Sequence, residues 1–215
     1  EMMKLPFVNS SALSSELSFD KWFCNQFLKG FGIPVAKAEL LLKHQPYKVD
    51  ELAEQLGLPL FVKPADSGSS YGISKVYEKE KLAEAIDSAF KEGRTVVCES
   101  FLEGTEVTCA VYENMNGINA LPCTEIVSET DFFDFEAKYL GKSQEITPAR
   151  ISDELTEKIQ QRTKQIYQLL QMRSLARVDY MIVDGEPFVI EVNSTPGFSA
   201  ASIVPKMLAS ANINI

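Results

Sequence analysis

The chain has 215 residues, 45% apolar and 24% charged, with 11 Gly and 10 Pro, which excludes a disordered, collagenous or coiled-coil protein. Thirty acidic residues against 21 basic ones give a formal charge of −9, which argues against a sequence-independent nucleic-acid or anionic-membrane surface; any phosphate must be held locally. One histidine, His44, and four cysteines without C-x-x-C spacing (Cys24, Cys98, Cys109, Cys123) leave no zinc or iron–sulfur site, so a metal would be bound through oxygen.

The cysteines sit singly among apolar neighbours, as expected of buried reduced thiols in a cytoplasmic protein. No apolar run reaches the length of a membrane span, residues 1–10 lack a signal-peptide pattern, and the abrupt opening suggests a fragment of a longer protein. In chain order, Ser18 precedes a helix over 19–31, with Phe23, Phe27 and Phe31 as an aromatic stripe and Gly30 and Gly32 as its stop. Lys21 falls in the first turn of that helix, the wrong end for a cation, which points to an external anion there. Residues 35–42 read as a strand, Asp50 as the cap of a short helix to Leu56, and 59–63 as a brief strand ending in Lys63-Pro64. The Gly/Ser-rich stretch 65–72 (ADSGSSYG) is a turn or flap, followed by a strand over 73–76, a helix marked by Leu82, Ile86, Ala89 and Phe90, and a strand over 95–99. A domain boundary is expected at the bend 101–105 (FLEGT), with strand-like pieces from Glu106 onwards. Residues 131–139 (DFFDFEAKY) read as a loop, and Ser152 caps a long helix with the stripe Leu155, Ile159, Thr163, Ile166, Leu170.

Two strands flank Asp184-Gly185 in the segment 176–193 (ARVDYMIVDGEPFVIEVN). Burying Val178, Tyr180 and Ile182 together with Phe188, Ile190 and Val192 leaves Arg177, Asp179, Glu191 and Asn193 on the opposite face. That parity requires an odd loop, Val183-Asp184-Gly185, because a two-residue Asp-Gly turn would split the carboxylates between faces. Pro187, which cannot donate to a ladder, belongs at the start of its strand or on an unpaired side.

Asp179, Glu191 and Asn193 offer hard oxygen donors of the kind Mg²⁺ takes alongside waters and substrate phosphates. A hairpin face of this composition is more often solvated, with Arg177 pairing to either acid. Two neighbours favour the metal reading: the 194–199 loop (STPGFS), with its amides and hydroxyls, and the strand ending in Lys63, which supplies a phosphate partner. Lys63 and the serines of the flap, Ser67, Ser69 and Ser70, could close over a phosphate, although the loop matches neither a Walker A nor a G-x-G-x-x-G motif and is by itself more often a plain hairpin turn. Taken alone, Lys138 reads as exposed, Tyr139 as packing, and Glu99 and Glu106 as surface acids. With a single histidine no Ser-His-Asp or Cys-His arrangement can be built, so lysines, one arginine and an oxygen-ligand site remain, the inventory of phosphoryl transfer.

The order FDK (19–21), LFVKPADSGSSYGISKV (60–76), CESFLEGTEVT (98–108), FFDFEAKYL (132–140) and ARVDYMIVDGEPFVIEVNSTPGFSAASIVPK (176–206) closely resembles the D-alanine–D-alanine ligases of the ATP-grasp superfamily, over essentially the whole chain. The resemblance implies an α+β fold in which two subdomains with antiparallel sheets clasp ATP. It implies a connecting segment over 1–19, a central subdomain over 20–105 and a C-terminal subdomain over 106–215, with the family's N-terminal domain and last helix missing. Lys21 and Lys63 would contact ATP phosphates under the flap, with Ser70 among the nucleotide-binding residues. Glu99, the backbone of Ser100, Phe101 and Leu102, and Glu106 would hold adenine and ribose. Lys138 would reach the γ-phosphate, and Asp179, Glu191 and Asn193 would bind a pair of Mg²⁺ ions, with Mn²⁺ as a substitute. Arg177 and the Gly197 amide would stabilise the oxyanion, and Ser202 with Ile203 would receive the second D-alanine's carboxylate.

The implied reaction phosphorylates the carboxylate of one D-alanine and joins it to the amine of a second, for peptidoglycan precursor synthesis in the cytoplasm, in an enzyme that is dimeric when complete. Tyr139, paired with Ser69, resembles the dipeptide-forming type rather than the depsipeptide-forming one, which carries His there. A D-alanine–D-serine ligase, another ATP-grasp carboxylate–amine ligase and a catalytically incomplete ATP-binding module are the alternatives. Because the family's N-terminal domain supplies a residue that binds the first D-alanine, the isolated chain is expected to bind Mg-ATP but ligate poorly.

Overall fold

The computed structural model describes residues 7–65, 72–128 and 143–214. Two antiparallel sheets organise it. The smaller joins β1 (Ala38–Leu42), β2 (Leu60–Pro64), β3 (Ser74–Val76) and β4 (Thr95–Ser100) in the order β1-β4-β2-β3. The larger joins β5 (Thr105–Asn114), β6 (Gly117–Ala120), β7 (Thr124–Ser128), β8 (Ser143–Ile146), β9 (Leu175–Val183) and β10 (Glu186–Asn193) in the order β10-β9-β5-β7-β8, with β6 paired to β5. Antiparallel sheets can keep one polar face when the other is buried, and both do so here.

The smaller sheet buries Leu60, Val62, Val76, Val96 and Cys98 against α3 (Val49–Leu56) and α4 (Leu82–Glu92), which contribute Leu52, Leu56, Leu82, Ile86 and Ala89. Period-two alternation therefore places Phe61, Lys63, Lys75 and Glu99 on its other face. Asp50 lies inside the first turn of α3 rather than capping it: Lys48 occupies the cap, and the Asp50 carboxylate pairs with Lys79 at 2.7 Å.

The larger sheet buries Val107, Cys109, Val111, Ala176, Val178 and Tyr180 under α5 (Asp153–Leu169), whose Ile159, Ile166 and Tyr167 meet them. Ser152 caps α5 by accepting from the Leu155 amide at 3.2 Å, as expected. The expected helix over 19–31 is two helices, α1 (Ala12–Phe19) and α2 (Lys21–Gly30), broken at Asp20. Asp20 adopts an extended conformation and its carboxylate accepts from the Phe23 amide at 2.9 Å, so an Asp cap takes the place assigned to Ser18. Cys24, Leu28 and Ile33 belong to the core of the larger sheet, so the start of the chain packs there although the smaller sheet is next in sequence. Of the aromatic stripe, Phe23 and Phe31 are more than half exposed, whereas Phe27 packs against that core. All four cysteines are buried and unpaired.

The hairpin of β9 and β10 reaches the expected polar face by a different route. Val183 pairs with Glu186 across a two-residue turn in which Asp184 (φ 49°) and Gly185 (φ 76°) are left-handed, the preferred hairpin geometry. The odd residue sits instead in a β-bulge: Val189 pairs with Tyr180 and Glu191 with Asp179, leaving Ile190 over. The buried residues of β10 are consequently Pro187, Val189 and Val192, not Phe188 and Ile190. Pro187 is tolerated because β10 lies at the sheet edge.

Candidate functional site

The polar face of the larger sheet carries Arg177 and Asp179 from β9, Glu191 and Asn193 from β10, and Glu106 and Thr108 from β5. Register brings them together: Asp179 lies opposite both Glu191 and Thr108, and Asn193 opposite Arg177. Asp179 is the centre of the cluster. Its Oδ1 accepts from Arg177 Nε at 2.8 Å and Thr108 Oγ1 at 2.6 Å, and its Oδ2 from the second guanidinium nitrogen at 2.9 Å and Asn193 Nδ2 at 3.0 Å. The Arg177–Asp179 pair is bidentate, which fixes the guanidinium plane. Burial works against the Arg177 charge, but Asp179, with Glu191 and Glu106 behind it, holds its pKa above the ordinary arginine value.

Thr108 was not foreseen, although it alternates with Glu106 on one strand; only the β5–β9 register reveals that it faces Asp179. Among the described residues no group of three or more His, Cys, Asp or Glu side chains gathers into a metal cluster, so the donor set is two carboxylates and one amide. At one end of this face Ala110 and Leu121 pack against α6 (Ile203–Ser210). Ser202 occupies the N-cap of α6, and Ile203 packs partly buried against that apolar cluster. Ser202 Oγ accepts from the Ser199 amide at 3.0 Å, and a Cβ on Gly197 would stand 2.9 Å from that oxygen, so glycine permits the close approach of the 197–202 turn.

On the smaller sheet Lys63 Nζ donates to Glu99 Oε1 at 2.8 Å, with both side chains less than a tenth exposed. Among the described residues the second carboxylate oxygen of Glu99 is buried without a hydrogen-bond partner, an acceptor that a ligand donor could fill. Lys21 joins this end of the sheet, since its amide donates to the Ala65 carbonyl at 3.0 Å and its side chain is buried. Ser100 is committed internally, its hydroxyl to the Leu56 carbonyl at 2.8 Å and its amide to that of Lys37 at 2.9 Å. Phe101 and Leu102 follow in the stretch that crosses from the smaller sheet to the larger. A cavity of about 690 Å³ opens between α1 and the end of β10, lined by Ser15, Ser18, Lys21, Glu191, Asn193 and Thr195 among others. Of the expected site residues, Ser69, Ser70, Lys138 and Tyr139 lie outside the described residues.

Comparison with known proteins gives this arrangement a family. The family described as D-ala D-ala ligase C-terminus matches residues 27–215. A D-alanine–D-alanine ligase of Parabacteroides distasonis is 46% identical across the whole chain, and one of Flavobacterium johnsoniae 45%. The chain spans about two thirds of these relatives' length, 66% and 67%. Among solved structures, the D-alanine–D-alanine ligase of Bacillus anthracis superposes on 99% of the chain with a TM-score of 0.85 at 33% identity, covering 68% of that protein. The same enzyme complexed with ATP gives 0.85 at 31% identity, over 99% of this chain and 67% of that one. VanG, a D-Ala:D-Ser ligase of Enterococcus faecalis, gives 0.84 at 35% identity over 96% of this chain and 61% of that one. The antiparallel α+β fold is thus the expected ATP-grasp fold, and the chain belongs to the D-ala D-ala ligase C-terminus family.

Proposed function

We propose that this chain is the ATP-binding and phosphoryl-transfer portion of a ligase that joins two D-alanines at the expense of ATP. The observation that carries the reading is that each of the two sheets keeps a polar face with charged side chains. One holds a buried Lys63–Glu99 pair with an unfilled acceptor, and the other an Arg177–Asp179–Glu191–Asn193 cluster. Residues 20–105 and 106–215 are read as the two halves of the clasp, with α2 of the first packed on the larger sheet of the second. The unfilled oxygen of Glu99 suits a donor such as an exocyclic amino group, and the buried Lys63 and Lys21 would supply ammonium groups to neutralise phosphates.

The oxygen-only donor set of Asp179, Glu191 and Asn193 fits Mg²⁺ or Mn²⁺, Asp179 giving up hydrogen bonds it now accepts in exchange for coordination. A bound divalent cation would supply charge neutralisation for the phosphates. Arg177 is held in a fixed plane by Asp179 and would donate to the oxyanion that forms when the amine attacks the acyl phosphate. The Gly197 amide would add a second donor, and the amino-terminal end of α6 at Ser202 and Ile203 would receive the carboxylate of the second amino acid. Ser69, Ser70, Lys138 and Tyr139 keep the roles the family resemblance implies.

The role follows as peptidoglycan precursor synthesis in the cytoplasm, by a complete protein that is a homodimer; among the described residues no helix is long and apolar enough to cross a membrane. The likeness to a D-Ala:D-Ser ligase keeps D-serine as the rival second substrate, and phosphate release with each amino acid in turn separates the two. The mechanism is tested by Arg177→Ala in the chain joined to the amino-terminal third of the Parabacteroides distasonis relative. Ligation should fall by about 10²-fold or more while nucleotide affinity is retained. Undiminished turnover would remove Arg177 from the chemistry.

A further inference from the structure

Between β4 and β5 the chain crosses from one sheet to the other through residues 101–104, outside any strand. The two ends of this crossing are anchored differently from its middle. Ser100 is tied by its hydroxyl and its amide, and Gly104 is pressed so closely on β9 that a Cβ there would stand 1.9 Å from the Ile182 carbonyl oxygen. Phe101, between them, is held by ring contacts. Lys75 Nζ lies 3.8 Å from the centre of its ring, and the Phe61 ring packs against it at 5.9 Å with a 60° tilt. Lys75 also stands 5.1 Å from the Tyr77 ring, and it is the cross-strand partner of Phe61. A cation over an aromatic face is held by the ring quadrupole, more strongly as water is excluded, and here it links β3 to the crossing segment.

We infer that Lys75 is a positioning residue for nucleotide binding: by clamping Phe101 it fixes the 101–104 segment, and with it the neighbouring Glu99 acceptor, in the geometry that receives the base. The inference rests on the nucleotide reading above. Its physical content is preorganisation, because a segment already fixed loses less freedom when the ligand arrives.

The test is calorimetric titration of AMP, ADP and ATP into the 215-residue chain with Lys75, Lys75→Met or Lys75→Arg. Met keeps the length of the stem and removes the charge, whereas Arg keeps a cation able to stack on the ring. Lys75→Met should weaken all three nucleotides by the same factor, about five- to tenfold, and Lys75→Arg should stay within about twofold of the parent. Amide exchange over 101–104 should quicken in the Met variant and return to the parent rate with Arg, which a general loss of stability would not reproduce. A loss that grows with the number of phosphates would show Lys75 acting on the phosphates directly and overturn the inference. Unchanged affinity, or unchanged exchange over 101–104, would overturn it as well. Failure of the parent chain to bind any nucleotide would refute the nucleotide reading itself, and is distinguishable because it precedes the variants.

Discussion

Lys63→Met tests the polar face of the smaller sheet most severely. The ammonium lies 2.8 Å from Glu99 Oε1, the two side chains are 6% and 8% exposed, and Glu99 Oε2 has no partner among the described residues. Methionine replaces most of the lysine stem, so little packing is lost, and the change isolates the charge. It leaves a buried carboxylate with neither oxygen satisfied, where breaking one side of a buried pair costs about 3–5 kcal/mol. Against a total stability of about 5–15 kcal/mol that is a large fraction. At about 2–4 °C per kcal/mol for a chain of this size, the melting temperature should fall by about 6–20 °C. Urea denaturation of the parent, the single variant and Lys63→Met/Glu99→Leu gives the comparison. The double variant should regain most of the loss, because an apolar pair of similar volume needs no partner. A single variant within about 1 kcal/mol of the parent would refute the reasoning, as would a double variant no better than the single.

Two further substitutions probe the frame around the site. Gly104→Ala drives a methyl to within 1.9 Å of the Ile182 carbonyl oxygen, so the β5–β9 ladder must open; the loss should exceed about 3 kcal/mol or abolish soluble expression. Gly30→Ala, in a helix with nothing within 4 Å of the new methyl, should instead be neutral or gain about 0.5–1 kcal/mol by the same denaturation assay. Arg150 holds the Glu125 carboxyl below the ordinary glutamate range, first through their side-chain hydrogen bonds, Nε to Oε2 at 2.8 Å and the terminal nitrogen to Oε1 at 2.7 Å. A folded value below the unfolded one gives stability that is present above the unfolded pKa of about 4.3 and lost as pH falls through the folded pKa. Glu125→Gln should therefore be less stable than the parent at pH 7, with the gap closing below about pH 4.

The site was legible where it followed from strand parity. Alternation around Asp184-Gly185 requires Arg177, Asp179, Glu191 and Asn193 to share a face if both apolar sets are buried, and they do share it. The bulge at Ile190 was not legible, because a parity shift can be made in the loop or in the strand and only the partner strand records which. Asp20 was hidden in the same way: a continuous apolar spacing over 19–31 conceals a break that one capping carboxylate makes. The Lys63–Glu99 pair joins residues 36 apart in sequence, and Thr108 meets Asp179 across 71, separations at which local pattern carries no signal. Family resemblance singled out Lys63, Glu99 and Asp179 one by one, but neither the Lys63–Glu99 pair nor Thr108.

On the reading proposed above, the two polar faces clasp ATP while the ligation site needs the third of the protein that the relatives have in addition. That reading is tested most directly by titrating Mg-ATP into the 215-residue chain in a calorimeter and assaying D-alanine-dependent phosphate release on the same preparation. Saturable one-site binding with little or no D-alanine-dependent release is expected. Absence of binding would contradict the clasp, and robust turnover by this chain alone would contradict the claim that its site is incomplete.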